Sequence, residues 1–360
     1  MKLGPLAVAR GVALGVVLTR VARAARTRPP IAAASPTPDT SISIVIPARS
    51  EADRIGPLLD PLVGAPSVGE VIVVDDESTD STAALAAGSG AHVVGAGARP
   101  PGWSGKAWAL QRGVDAASGE WIVTFDADTR PDPALPGALV ARADADRTDL
   151  LTVAGRFVGD SAGARWLHAS MLATLVYRFG PPGQKSSPTP TRLLANGQCM
   201  VFRRADLLAS GGFAPVAGHV VEDVALARHL AAGGRRVDFL DAGRLLDVEL
   251  YGSLGATWSG WGRSIGLPGV ERRLLRLTDV GVLALTLPLP TLRLMSGRAD
   301  VIDAIALVAR LGTLVGARSA FARTDLAYWL SPFADAIAVA ALAKCAVATT
   351  QTWRGRTYTI

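Results

Sequence analysis

The segment WIVTFDADT sets two carboxylates, Asp126 and Asp128, two positions apart at the end of an apolar run. On an extended segment, side chains at i and i+2 share a face, so both carboxylates are expected to point the same way. Hard divalent ions such as Mg2+ or Mn2+ bind through one or two carboxylates and complete their shell with phosphate oxygens and water. The chemistry such a pair serves is departure of a diphosphate, whose developing charge the ion offsets. Two further acidic run-ends precede it: Pro47-Ala48-Arg49-Ser50-Glu51 follows SISIVIP, and Asp75-Asp76 closes EVIVVDD. One acidic run-end is ordinary, because Asp opens turns and caps helices. Three in one half of the chain point to a ligand. Lys106 follows a Gly-rich turn and opens a helix, which suits either a phosphate contact or a solvated face. Glu222 and Asp223 open the alanine-rich pattern VEDVALARHL. A carboxylate is stabilised at such a helix start, where it serves as a cap or as a general base.

The elements that must position these groups alternate. Strands are expected over 41–47, 70–76, 92–94 and 120–126, and helices over 55–63, 81–87 and 106–117. Continuous apolar strands separated by helices are the mark of a mostly parallel α/β sheet buried on both faces. In such open sheets ligands lie beyond the carboxyl ends of the strands, where the three acidic run-ends fall.

The passages SIVIPARSE, VIVVDDESTDST and WIVTFDADT resemble the family 2 glycosyltransferases of GT-A fold. GWSGKAWAL, Ala195-Asn196-Gly197-Gln198 and VEDVALARHL continue the resemblance in the expected order, and the terminal WRGRTY is similar to the branch that glycosylates hopanoids, carotenoids and ceramides. It is dense over about 41–265 and departs at VVDDES, where the family has VVDDGS and this chain has Glu77. The resemblance implies inverting transfer of a hexose from a nucleotide sugar, UDP-linked by preference, to a hydroxyl or carboxyl of a lipid-type acceptor. Pro47, Ala48, Arg49 and Glu51 would line the base and ribose, and Asp75 or Asp76 would accept from the base. Asp128 would hold Mg2+ or Mn2+, with Asp126 sharing the ion or nearer the ribose. Asp223 would be the base, beside Glu222, with Gly197 and Gln198 toward the acceptor. Trp258, Trp261 and Arg263 resemble a degraded QxxRW motif, in which Arg263 would meet the diphosphate and Trp261 the acceptor.

Composition agrees with a membrane setting. Hydrophobic residues make up 49% of the chain and charged ones 19%, below the roughly 25% of soluble domains. The net charge of +6 gathers beside apolar stretches, at Arg20, Arg23, Arg26 and Arg28 and at Arg272, Arg273 and Arg276. That placement suits anionic headgroups, and neither a helix-turn-helix nor an RNA-binding aromatic pattern is present, so nucleic acid is not an expected partner. Cys199 and Cys345 alone cannot make a disulfide framework or a zinc site. His92, His168, His219 and His229 lack ligand spacing, and only His219 lies near the acidic pair in sequence.

The expected organisation is a membrane anchor helix over 1–27, a Pro-rich linker over 28–40, a catalytic domain over 41–265, membrane-associated helices over 266–352 and a basic tail over 353–360. Positive-inside placement puts the catalytic domain and the tail arginines, Arg354 and Arg356, on the cytoplasmic side of the cell membrane. It calls for two crossings between about 278 and 349, with the Pro-containing stretch 280–292 in the interface. Other readings fit less well. A nucleotidyltransferase would carry a Gly-rich, Lys-containing loop where this chain has PARSEADR, and a dinucleotide fingerprint fails because Pro100 stands in place of a third glycine. Intact Asp126, Asp128 and Asp223 argue against an inactive scaffold.

Overall fold

The computed structural model describes residues 4–22, 27–34, 40–184, 189–353 and 356–359. Its strands are β1 (Ile42–Ala48), β2 (Glu70–Asp75), β3 (His92–Gly95), β4 (Trp121–Phe125), β5 (Thr129–Pro131), β6 (Leu150–Ala154), β7 (Arg156–Val158), β8 (Cys199–Arg203), β9 (Val237–Asp241), β10 (Leu246–Glu249), β11 (Thr350–Trp353) and β12 (Arg356–Thr359). Its first helices are α1 (Pro5–Val21), α2 (Ala52–Leu59), α3 (Thr82–Gly88), α4 (Gly105–Ala116), α5 (Leu135–Asp146), α6 (Ala162–Phe179), α7 (Arg204–Ala209) and α8 (Glu222–Ala232). After them come α9 (Leu254–Ser264), α10 (Arg273–Thr286), α11 (Pro288–Met295), α12 (Val301–Ala317), α13 (Leu326–Trp329) and α14 (Asp335–Val347).

The fold is mixed α/β around an open, mostly parallel sheet of order β3-β2-β1-β4-β8-β6-β9. Within that sheet β8 runs antiparallel, between β4 and β6. The apolar runs ISIVIPA and WIVTF are buried because helices cover both faces. One face packs Ile44, Ile46, Val73 and Leu139, and the other packs Val45, Val74, Leu110 and Leu226. Burying each such side chain contributes roughly 1.5–3 kcal/mol.

This topology sets the site. Parallel β1, β2 and β4 deliver their carboxyl ends to one edge, with Ala48 opposite Asp75 and Val45 opposite Thr124. β8 starts from that same edge with Cys199 opposite Phe125, which brings Gly197 and Gln198 beside Asp126. The smaller sheet β5-β10-β7 buttresses it, and Glu249 N donates to Asp128 O at 3.0 Å.

Asp126 and Asp128 do not lie on an extended segment. Thr129 donates to Asp126 O through its amide at 3.1 Å and its hydroxyl at 2.7 Å, so the two carboxylates leave a turn. The strand-alternation argument for their shared direction is therefore replaced by turn geometry.

The helical half also departs from expectation. α1 packs on α6, α10 and α12, and Arg10 meets Asp300 at 2.7 Å and Asp303 at 2.5 Å. Arg20 meets Asp279 at 3.2 Å, a buried carboxylate that also takes Arg178 at 3.1 Å and Arg192 at 3.0 Å. Arg28 meets Asp238 at 2.5 Å, and buried Arg276 donates to Cys345 O at 3.3 Å. Arg10, Arg20 and Arg28 are engaged inside the protein by carboxylates that would be costly to leave buried and unpaired. Arg272 and Arg273 are exposed, while Arg23, Arg26 and Arg354 lie outside the described residues. The apolar stretch 326–343 is not one helix: Pro332 sits in a 3-10 turn, Ser331–Ala334, and α14 starts after it at Asp335. Among the described residues, one helical stretch has the length and composition to cross a membrane, Arg273–Met295 of 23 residues. It contains the 280–292 segment expected in the interface.

Candidate functional site

A cavity of about 920 Å3 opens at the carboxyl edge of the sheet. Pro47, Ala48, Arg49, Glu51, Asp76, Lys106, Asp126, Asp128, Gly197, Gln198, Glu222, Asp223, Trp261 and Arg263 line it. Asp75 does not. Its neighbour Asp76 turns into the cavity, whereas Asp75 Oδ1 is buried without a partner among the described residues. Of the two acids left open by the sequence, Asp76 is the one at the site.

Lys106 is the hub. Its Nζ lies 2.8 Å from Asp126 Oδ1 and 3.0 Å from Glu222 Oε1. Burial works against its charge, but Asp126, Glu222 and Asp223 outweigh that and hold the ammonium protonated well above the ordinary lysine range. The N-terminus of α4, capped by Ser104 accepting from Ala107 N at 3.2 Å, places this residue. Asp223 Oδ2 accepts from Gly197 N at 2.6 Å. Gly197 permits that approach: a Cβ there would lie 3.1 Å from Asp223 Cβ and 3.2 Å from Lys106 Nζ. The cap of α8 is Val221, with Glu222 and Asp223 in the first turn, so neither acid is explained as a helix cap.

Burial raises the carboxyls here. Glu222 is pushed up to about 7, burial first, with Lys106 opposing. Asp223 moves up by burial, again against Lys106 and the amides of Val224 and Gly197. Asp128 is pushed up to about 6 by burial and then by Asp126. Asp128 Oδ1 is buried with no hydrogen-bond partner among the described residues. An orphaned carboxylate oxygen beside a second carboxylate is what a hard divalent cation satisfies. No three His, Cys, Asp or Glu side chains converge into a complete cage among the described residues. A Mg2+ or Mn2+ held mostly by phosphate and water does not need one.

The same cavity is also lined by the apolar side chains of Phe157, Leu172, Leu175, Val176, Ile265 and Ala317. Trp261 lines it too, its Nε1 donating to His168 Nδ1 at 3.2 Å. Burial drives His168 down to about 3, so the ring is neutral and can accept. His168 was legible only as a structural histidine, whereas His219, close to the acids in sequence, does not line the cavity. Tyr251, Asn196, Arg54 and Tyr358 also line it without having stood out. Asn196 sits in the quoted ANGQ motif, Tyr358 in WRGRTY and Arg54 in PARSEADR, while Tyr251 carried no sequence signal. Arg263 has no side-chain ion pair among the described residues.

Residues 43–208 match the family model described as Glycosyl transferase family 2. A 4,4'-diaponeurosporenoate glycosyltransferase of Staphylococcus haemolyticus (strain JCSC1435) is 28% identical over 193 residues, 52% of this chain and 51% of that protein. The protein of the same name from Staphylococcus aureus (strain bovine RF122 / ET3-1) is 43% identical over 89 residues, 24% of each chain. The chain thus spans about half the length of the first of these curated relatives and a quarter of the second. A crystal structure of glucosyl-3-phosphoglycerate synthase from Mycobacterium tuberculosis, in complex with Mn2+, UDP and phosphoglyceric acid, is 23% identical and covers 69% of this chain and 80% of its own, with a TM-score of 0.45.

Proposed function

Because residues 43–208 carry a glycosyl transferase family 2 domain, we propose that the protein moves a hexose from a nucleoside-diphosphate sugar, UDP-linked first among them, to a lipid-type acceptor with inversion. The observation that carries this reading is one cavity lined by the strand-end carboxylates, the Glu222–Asp223 pair and these apolar side chains. The catalytic part is taken as 41–265. Arg49, Asp76 and Glu51 would receive the nucleoside, with Pro47 and Ala48 beneath it. Asp128 and Asp126 would hold Mg2+ or Mn2+, which when bound offsets charge on the departing diphosphate. Lys106 and Arg263, which both line the cavity, would supply cations for the phosphates.

Asp223 is assigned as general base. Its raised proton affinity favours taking a proton from an acceptor hydroxyl, and the Gly197 amide fixes its orientation. Glu222 holds Lys106 in place. Gln198 and Trp261 border the acceptor, and the apolar lining takes its chain, which shields the reacting hydroxyl from water. Membrane association is supported by exposed apolar side chains on α1, α10 and α12, including Val12, Leu274 and Val308 at 64%, 75% and 69% exposure. Nucleotide sugars are cytoplasmic products, so the cavity would face the cytoplasm.

The test is a melting screen of the detergent-solubilised protein against UDP, GDP and dTDP sugars with Mn2+, followed by donor hydrolysis. Binding to the native state alone raises the melting temperature by mass action. A shift with one nucleotide class and slow nucleotide release supports the reading. No shift and no release with any of them overturns it.

A further inference from the structure

The C-terminal strands β11 and β12 form an antiparallel pair, Gln351 opposite Tyr358 and Trp353 opposite Arg356. The pair folds back onto the nucleoside end of the cavity. Arg356 Nη1 lies 2.6 Å from Asp76 Oδ2, and its Nη2 lies 3.2 Å from Asp76 Oδ1 and 2.6 Å from Glu77 Oε2. Arg49 binds the same turn, donating to Asp76 O at 2.6 Å and to Glu77 Oε2 at 3.3 Å. Tyr358 lines the cavity, and its Oη accepts from Gly105 N at 3.3 Å. That amide opens α4, next to Lys106, where an anion is favoured. Gly105 is required for the approach, since a Cβ there would lie 2.6 Å from Asp76 Oδ2 and closer still to Arg356 Nη1.

Glu77 gives the contact its specificity. Its φ is 59°, in the left-handed region that favours glycine, and Ser50 facing it has φ 53°. A side chain at such a position is strained and persists when its surroundings hold it. Here the holding groups are Arg356 and Arg49, which keep the Glu77 carboxyl ionised below the ordinary range. The strained turn, the buried Asp76 and the returning hairpin make one unit.

We infer that this hairpin is a wall of the nucleotide subsite: Arg356, fixed by Asp76 and Glu77, and Tyr358 bind the nucleoside diphosphate together with Arg49. This rests on the donor reading above. Asp76 is 3% exposed, so without a cation its charge would be buried unpaired. Arg356 at 2.6 Å and Arg49 at 3.8 Å pair that carboxylate and fix its direction, and the tyrosine adds an amphipathic surface beside the α4 start.

The test uses the full-length solubilised protein with UDP and Mn2+, read by calorimetric titration. Arg356→Ala and Tyr358→Ala are each expected to weaken UDP about tenfold. Arg356→Lys should fall between, because an ammonium cannot reproduce the forked pairing. Glu77→Gly should weaken binding by a smaller factor, since it removes one holding carboxylate and also relieves the strained backbone. Should Arg356→Ala fail to fold, Tyr358→Ala carries the test. Unchanged UDP affinity in the folded alanine variants, with wild type binding, overturns this inference alone. Tighter binding in Arg356→Ala also overturns it, by making the hairpin an occluding latch. Wild type binding none of UDP, GDP or dTDP overturns the donor reading and this subsite with it.

Discussion

Replacing Asp128 by Asn in metal-free protein should stabilise the fold. Burial, and then Asp126, raise this carboxyl from 3.8 to about 6. A carboxyl raised on folding holds its proton more tightly in the native state than in the unfolded chain. Its contribution is therefore fully present below about pH 4 and is lost as pH rises through about 6. At 1.36 kcal/mol per unit, the shift corresponds to about 3 kcal/mol of destabilisation in the charged state. Asn keeps the shape and carries no charge, and the orphaned Oδ1 gives up no hydrogen bond among the described residues. Unfolding in EDTA should accordingly show Asp128→Asn more stable than wild type by up to about 3 kcal/mol at pH 8, with the gap closing toward pH 4. Mn2+ at about 1,000 times its Kd should reverse the order, because wild type then gains about 4.1 kcal/mol that the variant cannot. Urea unfolding followed by tryptophan fluorescence, from pH 4 to 8 with and without Mn2+, measures both effects. A variant less stable than wild type by the same amount at every pH would refute the reasoning, since Asp128 would then be a paired structural charge.

Asp223→Asn should cut turnover by roughly 10²- to 10⁴-fold while UDP affinity stays within a few-fold, because the base acts on the acceptor; steady-state rates and UDP titration separate the two. An inactive Glu222→Gln beside an active Asp223→Asn would exchange their roles. Gly197→Ala should slow transfer at least about tenfold yet cost the fold only about 1–3 kcal/mol, since its Cβ crowds Asp223 and Lys106 at 3.1–3.2 Å; paired rate and melting measurements check this. Asp335→Ala strips Arg310 of the carboxylate 2.9 Å away and should destabilise by about 3–5 kcal/mol in melting experiments.

The site's core was legible because its geometry follows from local rules. Three apolar runs ending in acid, read as parallel strands, must deliver Arg49, Asp76 and Asp126 to one edge, and they do. Lys106 was visible as a cation at a helix start, although its engagement by three acids belongs to the tertiary fold. What escaped were pairings set by distance in the chain. Arg20 and Arg276 look like headgroup contacts until Asp279 and Cys345 O are brought beside them. Arg356 stands 280 residues from Asp76, and nothing local joins the two. The choice between Asp75 and Asp76 turned on which side of a strand end faces the cavity. In the helical half, the 3-10 turn holding Pro332 separates α13 from α14, and Asp335 at the start of α14 meets Arg310 at 2.9 Å, a partner no local pattern names. The turn at Asp126–Asp128 likewise depends on hydrogen bonds from Thr129 that a strand pattern does not encode.

On the proposed reading, one cavity joins a nucleotide-sugar donor to a lipid-type acceptor through Asp128, Asp126 and Asp223. The direct measurement supplies full-length protein in vesicles with Mn2+, a labelled UDP-hexose and a bacterial lipid extract, and follows label into the organic phase. Label should appear there with wild type, vanish with EDTA, and fall to background with Asp223→Asn. Label that remains aqueous with UDP-, GDP- and dTDP-linked sugars alike, with no nucleotide released, would contradict it.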